Sequence, residues 1–332
     1  HEAIPITGAI VSGTYADANI KNYAHGMFQS VYDYPYLSSS ANHIFDLTAG
    51  YSNSSYLSAS TSTQNAKKIN MYNEMAQVLV GFDDNNDIRA FDEDGNLTDG
   101  GNKITEAYVV NLARLLSKDE IKKGSFTLEL GVTGAYGTPF ADRIKLQDSD
   151  GINSYKVNSP AGEYGILYAT NSAGVPLLYS DGTAPEAGLI YYQAGVAVIT
   201  ASVFSGLLSS SAEMNVAGED VDAVLSGSTI QLNCDELRHR IYDLSFNNSV
   251  ELNSTIYFCR ANHNEFNYSS NPTYLSASKI VVKNDSADVP VSYVTTVGLY
   301  SPDNELMAVA KLSEPLKKDP TSEFTIRVRL DY

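Results

Sequence analysis

The sequence contains no tryptophan, two cysteines and few basic residues, and each shortage excludes a class of function. Its 332 residues include 22 Lys and Arg against 39 Asp and Glu, a formal net charge of −17. Nucleic-acid binding requires a positive surface that displaces counterions from phosphates. No basic run is longer than Lys122-Lys123 or Lys317-Lys318. We therefore expect no nucleic-acid partner and no membrane partner.

Cys234 and Cys259 are too few for a disulfide framework in a chain of this length. They could pair with each other, but a reduced pair is the favoured reading. With His239 and His263 they form a C-x₄-H and a C-x₃-H pattern, whose residue types suit zinc. The first spacing is wrong for a zinc knuckle, and Cys259 lies in the strand-like run YFCRA. We predict two structural thiols without metal.

Apolar runs in the sequence are too short to cross a bilayer. The longest, from Gly188 to Phe204, is interrupted by Gln193 and Gly195. It predicts two adjacent buried strands. The chain begins with His1 and shows no signal-peptide pattern, and we expect a segment to have preceded it.

Helical spacing of apolar residues concentrates in the N-terminal part. A first amphipathic helix is predicted by an apolar stripe with spacings of three and four: Ile69, Tyr72, Ala76 and Leu79. Thr63 could cap this helix at its N-terminus, and Gly81 would end it. A second is predicted to begin at Thr105, with an inward stripe of Tyr108, Leu112, Leu115 and Leu116. Each of these helices should pack on another element.

From about Ser125 the sequence changes to short apolar runs bounded by Gly, Pro, Asn and Asp, which predicts strands and turns. The runs are SFTLELGV, RIKLQDS, EYGILYAT, VPLLYS, LIYYQ, STIQLN, RIYDLSF and STIYFCRA, with a helix predicted over residues 211–225. Near the C-terminus VSYVTTVGL, the turn SPDN and LMAVAKL predict a hairpin. EFTIRVRLDY alternates apolar and polar residues, as a strand with one buried face does.

These runs predict an α+β fold that is β-dominated, with two amphipathic helices in the N-terminal part and a C-terminal antiparallel β region. We predict a mixed helix and strand domain over residues 1–124 and a β-rich domain with a short helical insert over 125–262. Residues 263–332 would form an antiparallel β segment that packs on the rest.

Motifs of catalysis are missing from the sequence. It contains no G-x-S-x-G, no H-E-x-x-H and no P-loop, and its five histidines lie in unrelated contexts. A glycosidase carboxylate pair leaves no such signature, but a chain without tryptophan lacks the usual platform for stacking sugars. We predict a protein that is not an enzyme and has no cofactor.

Three acidic turns contain the oxygen ligands that calcium prefers: FDDNND, FDEDGN and LQDSDG. Asp83, Asn85 and Asp87 have the alternate spacing of a calcium loop. Ile88 occupies the place of the required glycine, and no bidentate Glu follows. Asp and Asn are also ordinary turn residues. We predict no metal, with these three residues as weak candidates.

Tyrosine is abundant, at 23 residues, and tyrosine with small polar residues is typical of protein interfaces. The stretch EFNYSSNPTYL, residues 265–275, alternates in this way. A β-rich core with tyrosines at sheet edges explains the composition equally well. Our interface candidates are Phe266, Tyr268, Tyr274, Tyr32, Tyr34, Tyr36, Arg327 and Arg329. The two arginines could pair with carboxylates of a neighbour, or could be solvated on an ordinary strand.

Several long stretches resemble known proteins. They are MFQSVYDYPYLSSSANHIFDLTAGYS, TQNAKKINMYNEMAQVLVG, LLSKDEIKKGSFTLELGV, FCRANHNEFNYSSNPTYL and VGLYSPDNELMAVAKLSEPLKK. Together, from about Met27 to Tyr332, they resemble virion structural proteins of tailed bacteriophages, especially large contractile-tailed phages of marine and cyanobacterial hosts. The stretches contain no chemical signature, so the resemblance implies a role without a mechanism.

The resemblance implies a tail or baseplate component, with a neck or capsid-associated position as the alternative. Such a subunit would be assembled in the host bacterial cytoplasm into the virion. Its partners would be other virion structural proteins, in a homo- or hetero-oligomer. The competing hypothesis from a different class is a secreted carbohydrate-binding or carbohydrate-cleaving protein with calcium-stabilised loops.

Overall fold

Apolar runs separated by turn residues fold into antiparallel strands through the described part of the chain. The computed structural model describes residues 17–59, 61, 63–97, 101–133, 138–178, 185–204, 221–249, 254–268, 275–276, 279–280 and 290–331. The chain divides into two compact units, the first unit, His1–Glu251, and the C-terminal unit, Leu252–Tyr332.

Fifteen strands are the main secondary structure among the described residues of the first unit. They are β1 (Ile20–Asn22), β2 (Gln29–Tyr32), β3 (His43–Tyr51), β4 (Phe91–Asp92), β5 (Lys103–Ile104), β6 (Glu106–Leu112), β7 (Glu120–Ile121), β8 (Thr127–Gly131), β9 (Arg143–Gln147), β10 (Lys156–Ser159), β11 (Gly162–Asn171), β12 (Glu186–Tyr191), β13 (Val196–Thr200), β14 (Ile241–Ser245) and β15 (Asn248–Ser249). Eleven of them form one sheet in the order β1-β2-β3-β6-β13-β12-β11-β9-β8-β14, with β10 paired to β11. The pairs β4–β5 and β7–β15 are separate.

Helices of the described first unit lie between these strands. The α-helices are α1 (Asn65–Leu79), α2 (Arg114–Ser117), α3 (Gly151–Ser154), α4 (Val221–Gly227) and α5 (Ile230–Arg240). Short 3₁₀ helices span Asp17–Asn19, Tyr56–Ala59, Pro139–Ala141 and Ala201–Phe204.

The central strands bury both of their faces. On β6, Tyr108 and Val110 join one apolar cluster, whereas Ala107 and Val109 join another. Successive side chains of a strand point to opposite faces, so the two clusters lie on the two faces of the sheet. Helix α5 supplies Ile230, Cys234 and Leu237 to the cluster that contains Tyr108, and α1 supplies Tyr72, Ala76 and Leu79 to the other.

Helix α1 approaches the backbone of β3 at Gly50. A Cβ placed on Gly50 would lie 2.3 Å from Lys68 O and 3.0 Å from Tyr72 N. No side chain fits between the helix and the strand at this position. The glycine therefore sets how closely α1 packs on the sheet.

Several predicted elements are confirmed. The β-dominated antiparallel character holds, and the first helix is α1. Its N-cap is Gln64, which makes no side-chain capping bond, rather than Thr63. Gly81 follows its C-terminus with a φ of +81°, the left-handed conformation that glycine adopts readily. The run from Gly188 to Phe204 contains the last four residues of β12 and all of β13, which are buried and adjacent as predicted.

The second predicted amphipathic helix is wrong. Its sequence forms strand β6, followed by the single helical turn α2. Because both faces of β6 are covered, its residues are apolar without a period of two. A short run of this kind cannot be distinguished from a buried helix by periodicity.

Two of the predicted strands are also corrected. STIQLN, residues 228–233, begins helix α5, where Thr229 is the N-cap and its hydroxyl accepts a hydrogen bond from Leu232 N at 3.2 Å. In VPLLYS, the described residues form only an isolated bridge between Thr170 and Pro176. Of the helix predicted over 211–225, residues 211–220 lie outside the described ranges, and α4 covers the rest.

The described residues of the C-terminal unit form antiparallel pairs of strands. Its strands are β16 (Ser254–Ala261), β17 (Leu275–Ser276), β18 (Lys279–Ile280), β19 (Ser292–Tyr300), β20 (Leu306–Lys318) and β21 (Phe324–Asp331). β16 pairs with β21, β17 with β18, and β19 with β20. The predicted C-terminal hairpin is β19 and β20, and the alternating final run is β21.

The division into units differs from the predicted domains. The boundary predicted at 124/125 falls within the first unit, because β6 pairs with β13 and the sheet continues on to β8. The boundary predicted at 262/263 lies beyond β16, which pairs along its whole length with β21. The unit boundary at 251/252 keeps both of these strand pairs together.

Candidate interaction surface

Four long strands of the C-terminal unit form two separate ribbons. β16 pairs with β21 from Ser254↔Asp331 to Ala261↔Phe324, and β19 pairs with β20 from Ser292↔Lys318 to Tyr300↔Leu306. Within the described residues, each of these strands pairs along one edge only. A lone two-stranded ribbon is marginally stable in water, and an open edge is a template for pairing with another chain.

The apolar faces of the two ribbons are incompletely covered. On β21 the side chains of Phe324, Ile326, Val328 and Leu330 alternate with exposed polar ones, but they are only half-buried. Among the described residues of the C-terminal unit, Ala261 is the only apolar residue that is buried. The described residues of the two ribbons therefore do not enclose a fully buried apolar core.

Large apolar side chains project from this unit into solvent. Among the residues that the structure describes, eleven are at least about a third exposed: Ile256, Tyr257, Phe258, Phe266, Tyr268, Tyr293, Tyr300, Leu306, Met307, Val309 and Leu316. The first unit has fourteen, in more than three times as many described residues. At roughly 150–250 Å² for a large side chain, the eleven leave on the order of 1,000 Å² of apolar surface in water.

An apolar groove separates the two ribbons. It has a volume of about 430 Å³ and is lined by residues of β16, β19 and β21, including Cys259, Gly298 and Ile326, and by Phe266. A smaller pocket of about 100 Å³ shares Cys259, Val297 and Gly298 with it and extends along β20. A well-packed interior has few voids larger than a water molecule, so the two ribbons are not closely packed against each other along this groove.

A buried lysine fixes the loop that presents Phe266. Lys318 is fully buried, and its Nζ donates to Asn267 Oδ1 at 2.7 Å, Asp319 O at 2.9 Å and His263 O at 3.3 Å. These three acceptors match the three N–H donors of the ammonium group. Phe266 has a φ of +53° and is 65% exposed. A bulky residue in this conformation is rare. The hydrogen bonds of Lys318 to His263 and Asn267 hold the backbone on both sides of this exposed ring.

Charge is distributed unevenly between the two units. The C-terminal unit contains 8 Lys and Arg against 9 Asp and Glu, a formal net charge of −1. The other 14 basic and 30 acidic residues give the first unit −16. Net charge near zero favours association, and high net charge opposes it. The unit with uncovered apolar faces is thus the one with little net charge.

The two candidate arginines of β21 differ in their surroundings. Arg329 Nε donates to Asp331 Oδ1 at 2.6 Å, and its NH2 donates to Ser254 Oγ at 2.9 Å. Hydrogen bonds from Ser254 and Arg329 lower the pKa of Asp331. Arg327 is exposed and forms no ion pair within the described residues. Whether either contacts a neighbouring subunit stays a prediction.

The remaining interface candidates lie in different places. Tyr268 is exposed in the C-terminal unit, and Tyr274 lies outside the described residues. Tyr32, Tyr34 and Tyr36 belong to the first unit, where Tyr34 and Tyr36 are exposed and Tyr32 is half-buried. The ring of Tyr32 lies 6.4 Å from that of Tyr36. These three tyrosines therefore belong to a surface of the first unit.

The weak metal candidates form a hydrogen-bonded turn. Asp83 Oδ1 accepts from Asn85 N at 2.9 Å and from Asp87 N at 2.8 Å. These bonds explain the spacing without a metal. Across the described ranges, no group of three or more His, Cys, Asp or Glu side chains could hold a metal ion.

The members of the zinc-like pattern are divided between the units. Cys234 is buried in α5, its thiol donates to Leu47 O at 3.2 Å, and burial raises its pKa strongly. On the same helix, His239 Nδ1 lies 2.6 Å from Asp235 O. Cys259 is half-buried in the C-terminal unit, where it lines the apolar groove.

The acidic turn LQDSDG, whose oxygens suited calcium, contains a buried carboxyl group, that of Asp148. Asp148 accepts from Gly124 N at 2.7 Å, Phe126 N at 2.9 Å and Tyr192 Oη at 3.1 Å, and burial raises its pKa to about 6. Its bonds anchor the turn between β7 and β8. A turn-like sequence such as LQDSDG gives no sign of this burial.

Two glutamates also have raised pKa values. Burial and then the nearby Glu186 raise the pKa of Glu93 to about 7. Burial raises the pKa of Glu236 to about 7 although Arg240 Nε lies 3.8 Å from its Oε2. Glu236 Oε2 has no hydrogen-bond partner. Its burial next to an arginine on the same helix is typical of a structural ion pair.

Comparison with protein-family models, with curated proteins and with solved structures finds no match to this chain. None of the helices in the described ranges has the length and apolar character needed to cross a membrane.

Proposed function

We propose that this chain is a structural subunit that acts through protein–protein contacts of its C-terminal unit. The observation that carries the proposal is that this unit leaves the apolar faces of two ribbons uncovered around a groove of about 430 Å³. The resemblance to virion proteins supplies the setting, which is the tail, baseplate or neck of a tailed-phage particle. No enzymatic turnover is part of this function.

Uncovered apolar area supports a permanent contact. The exposed apolar side chains of the C-terminal unit sum to on the order of 1,000 Å², spread over both ribbons and the loop that contains Phe266 and Tyr268. A standard interface buries about 800 Å² on each partner. A subunit that is built once into a particle could cover this surface permanently, and the open strand edges could add backbone hydrogen bonds to a neighbour.

The acidic first unit complements this role. Its formal net charge of −16 keeps free subunits soluble through mutual repulsion. The nearly neutral C-terminal unit adds little to that repulsion. A subunit of this design can remain dissolved before assembly and still associate through one end of its chain.

The test is the composition of the particle. Phage particles that encode this chain would be purified by density gradient, and the chain quantified by mass spectrometry with isotope-labelled peptides. We expect a fixed copy number per particle that survives repeated purification. Absence from particles would refute the proposal. Turnover of a glycan, peptide or ester that is lost on changing one carboxylate would refute it as well, and calcium-dependent glycan binding would favour the carbohydrate hypothesis.

A further inference from the structure

We propose that the C-terminal unit modifies itself covalently, through an amide bond between the side-chain amine of Lys318 and the side-chain carboxamide of Asn267. The bond would join the loop of residues 262–268 to the end of β20. This inference does not rest on the proposed function, because it concerns how the unit itself is held together.

The two reacting groups are already in contact. Lys318 Nζ donates a hydrogen bond to Asn267 Oδ1 at 2.7 Å, and the carbon that would be attacked, Cγ, carries that oxygen. Because a C=O bond is about 1.2 Å long and a donor approaches the oxygen from the side away from the carbon, Nζ lies about 3–4 Å from Cγ. Reacting atoms in productive arrangements are about 3–3.5 Å apart, and holding them there is equivalent to an effective concentration of up to about 10⁵–10⁸ M.

A backbone carbonyl orients the pair. His263 O accepts from Asn267 Nδ2 at 2.8 Å and from Lys318 Nζ at 3.3 Å. The same oxygen therefore binds the nitrogen that would attack and the nitrogen that would leave. This places the two nitrogens so that a proton released by the amine can be taken up by the departing nitrogen.

Hydrogen bonds also fix the backbone on both sides of the contact. Ser292 pairs with Lys318 across β19 and β20, and Ser292 Oγ donates to Phe266 O, next to Asn267. At the start of the loop, the side-chain amide of Asn262 donates to a carboxylate oxygen two residues before Asn267 at 3.0 Å. A contact that is fixed in this way loses little entropy on reaching the transition state.

The surroundings of Lys318 suit a nucleophile. Attack requires the uncharged amine, and a carboxylate partner would hold the group in its charged form. Lys318 is fully buried, and no carboxylate pairs with it in the described part of the chain. Lys68, the other lysine described as fully buried, donates to the backbone oxygen of Leu225 and not to a carboxamide.

The reaction needs no co-reactant. Nζ attacks Cγ, the Nζ–Cγ bond forms, and the bond between Cγ and Nδ2 breaks. Two hydrogens of the original ammonium group leave with Nδ2, so that the products are a secondary amide and one ammonium ion. Charge is conserved, and no atom is oxidised or reduced.

A covalent cross-link would compensate for the small core of this unit. Ala261 is the only buried apolar residue among those described in it, and small units with little core are commonly stabilised by covalent cross-links. A disulfide within the unit is excluded because Cys259 is its only cysteine. In chains that have not reacted, the hydrogen bonds of Lys318 alone hold the loop.

The first measurement is the intact mass of the full-length chain after incubation in its native state at pH 7 and at pH 9. We expect a mass lower by one ammonia than the sequence requires, reached faster at pH 9 because attack requires the uncharged amine. Trypsin does not cleave after an acylated lysine, so digestion should release a branched peptide of residues 261–279 and 318–327. A chain kept unfolded in urea at pH 9 should retain its full mass, because the two groups are then apart.

The second measurement compares two conservative variants. Lys318→Arg keeps a positive charge and hydrogen-bond donors but has no nucleophilic amine, so it should retain its full mass. Lys317→Arg, at the adjacent exposed lysine, is the matched control and should lose one ammonia as the wild type does. The cross-linked chain contains a closed loop, so it should migrate faster than Lys318→Arg in denaturing gel electrophoresis, a comparison that does not require the variant to fold.

Three results would overturn the inference. Full mass after native incubation at pH 9 would show that Lys318 and Asn267 share only a hydrogen bond. Loss of ammonia that persists in Lys318→Arg would show that an asparagine cyclises onto its own backbone instead. A branched peptide that joins other residues would place the bond elsewhere. The copy number in particles, which tests the proposed function, is independent of all three.

Discussion

At the scale of single residues, two adjacent lysines show how much position matters. Lys317 is exposed and pairs with Asp319 Oδ2 at 3.3 Å, whereas Lys318 is fully buried and donates to three neutral oxygens. A surface ion pair contributes about 0–1 kcal/mol. A buried polar group left without its partner costs about 1–3 kcal/mol. The two residues should therefore respond very differently to the same substitution.

We predict that Lys318→Met loosens the loop that presents Phe266. The substitution leaves Asn267 Oδ1 without its donor, whereas His263 O keeps its bond from Asn267 Nδ2 and Asp319 O keeps its bond from Ser322 Oγ. One unsatisfied buried acceptor should lower the local stability by about 1–3 kcal/mol. Hydrogen exchange of residues 262–268 measures this directly. Lys317→Met is the matched control and should change exchange by less than about 0.5 kcal/mol. Equal effects of the two substitutions would show that the buried ammonium group does not hold the loop.

Neither the three hydrogen bonds of the buried Lys318 nor the apolar groove could be predicted from the sequence. Lys317-Lys318 followed by an aspartate is a surface-like pattern, and no local signal separates the buried lysine from the exposed one. The groove depends on how far apart two ribbons lie, which no residue pattern encodes. The aromatic and polar composition around Phe266 predicts a subunit contact there; Phe266 and Tyr268 are exposed, and the contact stays a prediction.

At the scale of elements, the packing of α1 on β3 depends on the absence of a side chain at Gly50. We predict that Gly50→Ala destabilises the first unit, because the added Cβ would lie 2.3 Å from the backbone oxygen of Lys68. Overpacking of this kind typically costs about 1–3 kcal/mol. Urea unfolding followed by circular dichroism measures the free energy of unfolding of the variant.

Gly227→Ala is the control for this substitution. Gly227 ends α4, and a Cβ there would meet no atom within 4 Å. Alanine is favoured over glycine in helices by up to about 1 kcal/mol, so this variant should be as stable as the wild type or slightly more stable. A neutral Gly50→Ala would mean that α1 can move away from β3 without loss.

Helix α1 and strand β21 could be predicted because one face of each is more buried than the other, so their periods of 3.6 and 2 are visible. The fully buried strands β12 and β13 could be predicted from a different signal, short apolar runs bounded by turn residues. Strand β6 lacks a period because both of its faces are buried. In α5 the helical stripe of Ile230, Cys234 and Leu237 overlaps an alternating run, STIQLN, that resembles a strand. Burial on both sides removes the polar residues that would have identified the element.

At the scale of the whole molecule, three acids of the first unit make its stability depend on pH. Burial raises the pKa of Asp148 to about 6 and those of Glu93 and Glu236 to about 7. Their unfolded values are near 4. Between these limits the folded chain binds more protons than the unfolded chain, so stability falls as pH rises. The stability that these three carboxyl groups contribute in their protonated form is fully present below about pH 4 and is lost as pH rises through about 6 to 7.

We predict a higher Tm at pH 5.5 than at pH 7.5, measured by calorimetry in buffers of equal ionic strength. Glu236→Gln imitates the protonated side chain, so the variant should match the wild type at pH 5.5 and lose less stability at pH 7.5. Glu74→Gln, at an exposed position of α1, is the control and should follow the wild-type profile. The pKa of His43 is raised mainly by its hydrogen bond with Asp46. Because the folded chain stabilises the charged form of His43, the free energy of unfolding also falls as pH rises through this raised pKa. A Tm that rises from pH 5.5 to pH 7.5 would show that these carboxyl groups ionise without cost in the folded protein, and that their burial is relieved by solvent.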